Sequence, residues 1–142
     1  MQRIEDVILF QIDWTSKVSK QYSQSEFDRL GLGITVEQWI ILKIVSETAT
    51  ISQRELANKS HRDPASITRT LDILEKKGLL IRQAIPDNRR TYNIDLTKEG
   101  EKFIKANMEL INTHRANSIK GLSKKEIGSL SEILKKIRKN MS

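Results

Sequence analysis

The chain has 142 residues, enough for one domain with its own hydrophobic core. With 37% apolar residues, 30% charged residues and a net charge of +7, it suits an elongated helical protein that buries part of its surface against a partner. The positive excess favours an anionic partner, nucleic acid first and a membrane surface second. Cysteine is absent, which excludes disulfides, thiolate metal sites and thiol redox sensing. The N-terminal MQRIEDVILF lacks a basic region followed by an apolar run, and no stretch approaches about eighteen consecutive apolar residues. Neither a signal peptide nor a membrane span is expected, and the cytoplasm is the expected location.

From the N-terminus, Ile4, Val7, Ile8, Ile12, Trp14 and Val18 recur at helical spacing and predict a helix from Ile4 to about Leu30. The run Gly31-Leu32-Gly33 interrupts it. Thr35 with Gln38 then forms a capping box, and Ile34 with Trp39 its staple, so a second helix is expected through Ile44 and Val45 to about Glu47. The same signature recurs at Ser52 with Glu55, with Ile51 and Leu56 as staple, and predicts a short helix to about Lys59.

Asp63-Pro64 restarts the chain, an N-cap followed by a proline where no hydrogen bond is lost. This helix carries Ile67, Leu71 and Leu74 on one stripe and should stop at Gly78, a residue suited to the left-handed position after a helix. Leu79 to Ile85 is a strand candidate. Tyr92, Ile94 and Leu96 alternate with polar neighbours as a second strand, and Pro86-Asp87-Asn88-Arg89-Arg90 is expected as the hairpin tip between them. Thr97 caps a long helix with Phe103, Ile104, Met108, Leu110 and Ile111. A last helix starts at the capping box Ser123 and Glu126 and carries Ile127, Leu130, Ile133, Leu134 and Ile137.

The expected fold class is therefore mainly α with a small β-hairpin wing (α+β), a winged helix-turn-helix flanked by N- and C-terminal helices. Three regions follow: 1–33, 34–97 and 98–142. Charge is uneven along the chain, with five Lys/Arg against seven Asp/Glu in residues 1–51, nine against six in 52–97 and eleven against five in 98–142.

A helix-turn-helix uses its first helix to brace the second in the major groove. At 100° per residue, the side of the second helix opposite Ile67 holds Ala65, Thr68, Arg69, Asp72 and Lys76, with Ser66 on its flank. Ser66 and Thr68 can donate to bases or phosphates, and Arg69 can reach guanine or a phosphate. Asp72 faces DNA unfavourably unless paired, with Arg69 or Lys76 as partner. A merely solvated polar face would carry the same residues. The wing raises the odds of DNA reading, because Arg89 and Arg90 beside proline and asparagine are poorly placed for a core and suit the minor groove. Asp87 can hold their fork in position. Arg62 and Thr70 complete the candidate DNA-binding set.

These runs together resemble the MarR family of winged-helix regulators. The residues that carry the resemblance are Leu56-Ala57, the run Thr68-Arg69-Thr70-Leu71-Asp72-Ile73-Leu74-Glu75-Lys76-Lys77-Gly78-Leu79, Asp87-Asn88-Arg89, and Leu96-Thr97-Lys98-Glu99-Gly100. Glu37-Gln38-Trp39 after a glycine-rich joint is similar to the helix that precedes the family's DNA-reading pair. The resemblance implies a DNA-binding transcriptional regulator, with a repressor expected, and a wing arginine that is Arg89 or Arg90. It implies a two-fold homodimer built from the first and last helices and a pseudo-palindromic double-stranded operator. It also implies a small aromatic or anionic effector, for which Trp14, Tyr22 and Trp39 are the candidate lining. As residues alone, those three read first as ordinary core.

The dimer has support in the sequence itself. Ile4, Val7, Ile8 and Ile12 at one end, and Ile127, Leu130, Leu134 and Ile137 at the other, exceed what a small winged helix can cover. No catalytic constellation, phosphate loop or zinc-ligand spacing is present for His61 or His114. No enzyme activity, cofactor or metal is expected. A different class of function fits the same fold: a winged-helix interaction scaffold whose basic face meets an acidic protein.

Overall fold

The computed structural model describes residues 1–86 and 88–142, with the backbone alone for residues 88–91. The chain forms two compact units, residues 1–109 and 110–142. In the first, a 3-10 turn at Ile4–Asp6 leads into α1 (Ile8–Arg29). The single helix expected from Ile4 is thus broken at Val7, whose backbone is extended. The Gly31-Leu32-Gly33 joint follows, both glycines at positive φ, +63° and +77°.

Helix α2 (Val36–Ser46) starts at the expected capping box: Thr35 Oγ1 accepts from Gln38 N, and Gln38 Oε1 accepts from Thr35 N. Next come strand β1 (Ile51–Ser52), helix α3 (Gln53–Ser60) and helix α4 (Pro64–Lys76). At Ser52 the capping box takes another form. Ser52 Oγ accepts from Glu55 N at 3.1 Å but donates to Glu55 Oε1 instead of leaving that carboxylate to the backbone. Ser52 is at once a cap and a strand residue, paired with Asn93.

Helix α4 is capped by Asp63, whose carboxylate accepts from Ser66 N at 3.0 Å. It ends as expected at Gly78, φ +76°, with Leu79 N donating back to the Leu74 carbonyl. Strands β2 (Leu80–Ile85) and β3 (Asn88–Leu96) complete an antiparallel sheet of order β1-β3-β2. Asn88 pairs with Ile85, so Asn88–Arg90 are strand residues and not part of the expected tip.

The core of this unit is formed by Phe27, Trp39, Ile41, Leu42, Leu56, Ile67, Leu71, Leu74, Leu80 and Ile94. The α4 stripe Ile67, Leu71 and Leu74 is at most 1% exposed, and α3 packs against α4 with Leu56 fully buried. Ile51, expected only as a staple, also faces Ile94 across the sheet and is buried.

Helix α5 (Lys98–Ser118) starts where Thr97 Oγ1 accepts from Gly100 N and donates to the Gly78 carbonyl at 2.6 Å. A Cβ on Gly100 would collide with the Leu79 carbonyl, which explains the glycine at this close approach. The second unit contains the end of α5 and helix α6 (Lys124–Asn140), whose Ser123–Glu126 capping box is complete. Among the described residues, no helix is long and apolar enough to cross a membrane.

Candidate nucleic-acid interface

Helix α4 presents its polar side because its apolar side is consumed by α2, α3 and the sheet. Ala65, Thr68, Arg69 and Lys76 are exposed, Ser66 and Thr70 half-buried. The sharp turn before α4 is made at His61, which takes a left-handed backbone (φ 58°) and lies exposed. Histidine tolerates that region better than most L-residues.

The hydroxyls expected to contact DNA already have partners within the chain. Thr68 Oγ1 donates to the Pro64 carbonyl at 3.0 Å and accepts from Gln53 Nε2 of α3 at 3.0 Å. Ser66 Oγ donates to Asp63 Oδ1 at 2.7 Å and accepts from Arg69 Nη2 at 3.2 Å. These bonds from Ser66 hold the Asp63 carboxyl below the usual carboxylate range. Arg69 is exposed on this face, with one guanidinium nitrogen on Ser66 and the rest of the group turned to solvent.

Arg62, expected among the DNA contacts, has partners within the chain. Its Nε and Nη2 hold both oxygens of Glu37 at 2.6 and 3.0 Å, and Nη1 donates to the Ser60 carbonyl at 3.2 Å. The hydrogen bond to Glu37 raises the Arg62 pKa further above its ordinary value. In this arrangement Arg62 braces the turn onto α2. Asp72 also has a different partner from Arg69 or Lys76: Arg82 of β2 reaches it at 2.6 Å and reaches Glu75 at 2.9 Å. Strand β2 carries Arg82 alongside α4, where it meets carboxylates one helical turn apart.

Arg82, Gln53 and Glu37 are the residues that sequence reasoning missed. Arg82 had a readable signal, since it lies two residues after buried Leu80 and so on the inward side of the strand. A cation on that side calls for acidic neighbours, and Asp72 and Glu75 at i and i+3 supply them. Gln53, Thr68, Glu75, Arg82 and Tyr92 line a cleft between the helix pair and the wing.

The side chains of Arg89 and Arg90, and Asp87 altogether, lie outside the described residues. The three aromatic candidates do not come together as one lining. Trp39 is 1% exposed, tilted against Phe103 with ring centroids 6.4 Å apart, whereas Trp14 and Tyr22 are exposed on α1 at 56% and 37%. Trp14 lines a surface groove with Glu5, Gln11, Thr15 and Val18. His114 is buried and His61 exposed. Among the described residues, no group of three or more acidic or histidine side chains is placed to hold a metal ion.

The MarR family model matches residues 34–92, which span α2 to the middle of β3. The chain is similar in structure to a MarR-family transcriptional regulator from Rhodococcus sp. RHA1, with 22% identity, 96% of each chain covered and a TM-score of 0.85. It is similar to a probable transcriptional regulator from Pseudomonas aeruginosa, with 26% identity, 95% of this chain and 99% of that one covered, and a TM-score of 0.80. A third likeness is to CouR from Rhodococcus jostii RHA1 bound to p-coumaroyl-CoA, with 22% identity, 96% and 95% covered and a TM-score of 0.82.

Proposed function

We propose that this chain, whose residues 34–92 match the MarR family model, is a sequence-specific, homodimeric DNA-binding repressor of the cytoplasm whose DNA affinity responds to a small ligand. The observation that carries the DNA reading is α4. Its apolar stripe is spent on the core, and its opposite face offers small and basic groups at the helix start.

The site then divides into contacts and braces. Arg69 reaches base edges or phosphate. Thr68, with its hydroxyl proton given to Pro64, offers its methyl group to a thymine methyl. Ser66 and Thr70 flank this face, and Arg89 and Arg90 serve the minor groove, with Asp87 supporting them. Arg62 acts as a brace through Glu37.

Dimerisation rests on apolar side chains left outside the core at both ends. Ile4, Ile8, Trp14 and Val18 near the N-terminus are each more than half exposed, as are Leu130 and Ile133 in α6, or nearly so. We assign residues 1–33 and 98–142 to the dimer and 34–97 to DNA binding. Two winged helices about one turn of DNA apart then meet a pseudo-palindrome. A small aromatic anion is the effector class, by likeness to the 6-hydroxynicotinic acid that regulates DNA binding of BpsR from Bordetella bronchiseptica. Trp14 and Tyr22 on α1 offer it aromatic contact, while Trp39 serves as core.

The experiment is selection of duplexes of about 30 bp from a random pool, followed by affinity measurement against salt. Enriched, pseudo-palindromic sequences and a steep linear fall of log affinity with log salt concentration are expected. Enrichment of nothing, with binding only to an acidic protein, would favour the scaffold function.

A further inference from the structure

Arg82 combines three bonds that no DNA contact requires. Strand β2 is an edge of the sheet, and the Arg82 N–H, turned away from β3, donates to Glu75 Oε2 at 3.0 Å. Its guanidinium Nη2 is shared between Asp72 Oδ1 at 2.6 Å and Glu75 Oε1 at 2.9 Å. One residue of the wing is thereby fastened to two successive turns of α4, by backbone and side chain together. The Arg82 side chain is only 18% exposed, and those of Asp72 and Glu75 are 49% and 38%.

The location gives these bonds a consequence. Asp72 lies on the same side of α4 as Thr68, Arg69 and Lys76. An unpaired carboxylate there would repel phosphate and disturb the positive field of the helix face. The wing, in turn, is a hairpin joined to the rest of the chain at its base, so its angle to α4 depends on what fastens β2. A charge-assisted bond with a planar guanidinium has directional preference that an apolar contact lacks.

We propose that Arg82 is a positioning residue for DNA reading: it fixes the angle between wing and α4 and masks Asp72 without itself touching DNA. This rests on the DNA-binding function proposed above. Arg82 acts through its two carboxylates, so its effect should vanish when they are absent. A direct phosphate contact would behave oppositely, since freeing the guanidinium would strengthen binding.

The test is a double-mutant cycle. Wild type, Arg82→Gln, Asp72→Asn with Glu75→Gln, and the triple variant are titrated with a 30 bp duplex selected by the wild type (about 30 bp for one dimer site) and with an unrelated duplex of equal length. All titrations run well below each variant's unfolding midpoint, so that loss of folded protein does not enter. Arg82→Gln is expected to weaken the selected duplex about tenfold or more and the unrelated one far less. In the carboxylate-free background the same substitution should change affinity by less than about twofold. Arg82→Lys, which keeps the charge but is shorter and lacks the guanidinium's fixed donor geometry, should fall between wild type and Arg82→Gln.

Two results overturn the positioning role. One is a lowered unfolding midpoint for Arg82→Gln with affinity for the selected duplex intact, which is a purely structural brace. The other is an equal loss with and without the carboxylates, which is a direct contact. A wild type that prefers no duplex at all would instead overturn the DNA-binding function, and the positioning role with it.

Discussion

Helices α4 and α6 carry nearly the same sequence signature and meet opposite fates. Both begin at a capped N-terminus and both place isoleucine and leucine at helical spacing. In α4 the stripe Ile67, Leu71 and Leu74 is sealed against solvent, whereas α6 has no buried residue, with Leu130 and Ile133 at 50% and 52% exposure. A capped amphipathic pattern therefore specifies a helix and the side that seeks cover, but not what supplies the cover. For α4 the cover is within its own unit. For α6 the proposed cover is a second copy of the chain.

The sharpest way to separate the two helices is to truncate a leucine in each. Leu71→Ala should cost about 2–5 kcal/mol, because the site is closed on all sides and a cavity remains, read as a lowered midpoint in urea. Next in size, Gly100→Ala should cost about 2 kcal/mol by forcing a methyl group into the Leu79 carbonyl. In α6, by contrast, Leu130→Glu with Ile133→Glu should leave helical circular dichroism in place and shift the species seen by light scattering towards the 16.4 kDa chain. A dimer that survives both charges would remove α6 from the proposed interface.

The smallest effect concerns pH. Arg82 holds the Glu75 carboxyl below its ordinary value of 4.5, chiefly through the hydrogen bond between their side chains. A carboxylate with a depressed folded pKa contributes stability that is complete above its unfolded value and is lost as pH falls through the folded one. Stability should therefore decline on acidification below about pH 4.5, and Glu75→Gln should make that decline shallower. Thermal melts between about pH 7 and pH 3 at constant ionic strength check this, and parallel curves for the two proteins would contradict it.

Much of the winged helix could be read in advance, for physical reasons that differ by element. Helix starts at Thr35, Asp63 and Ser123 announce themselves because capping needs particular side chains at fixed spacing. Gly78 and the alternation Tyr92, Ile94, Leu96 were legible for similar reasons. Strand β1 was not, since two residues have no period; Ile51 becomes strand only through its pairing with Ile94. Asn88–Arg90 have turn-like composition, and cross-strand pairing, which composition does not encode, draws them into β3.

Side-chain partners were the least legible part of the site. Charge spacing along one helix suggested Arg69 or Lys76 for Asp72, while the actual partner comes from a neighbouring strand. Arg62 likewise reaches Glu37, distant in sequence, and becomes a brace. Trp14 and Trp39 both sit at apolar helical positions, and only tertiary packing separates the exposed one from the buried one.

The exposed face of α4 is proposed to read DNA sequence. The most direct test is the affinity of Thr68→Ala with Arg69→Ala for the duplex selected by the wild type, compared with an unrelated duplex at the same salt concentration. A loss of about 1–3 kcal/mol per specific contact, relaxed preference between the two duplexes and an unchanged oligomeric state are expected. A double variant that keeps the wild-type affinity and preference would contradict it.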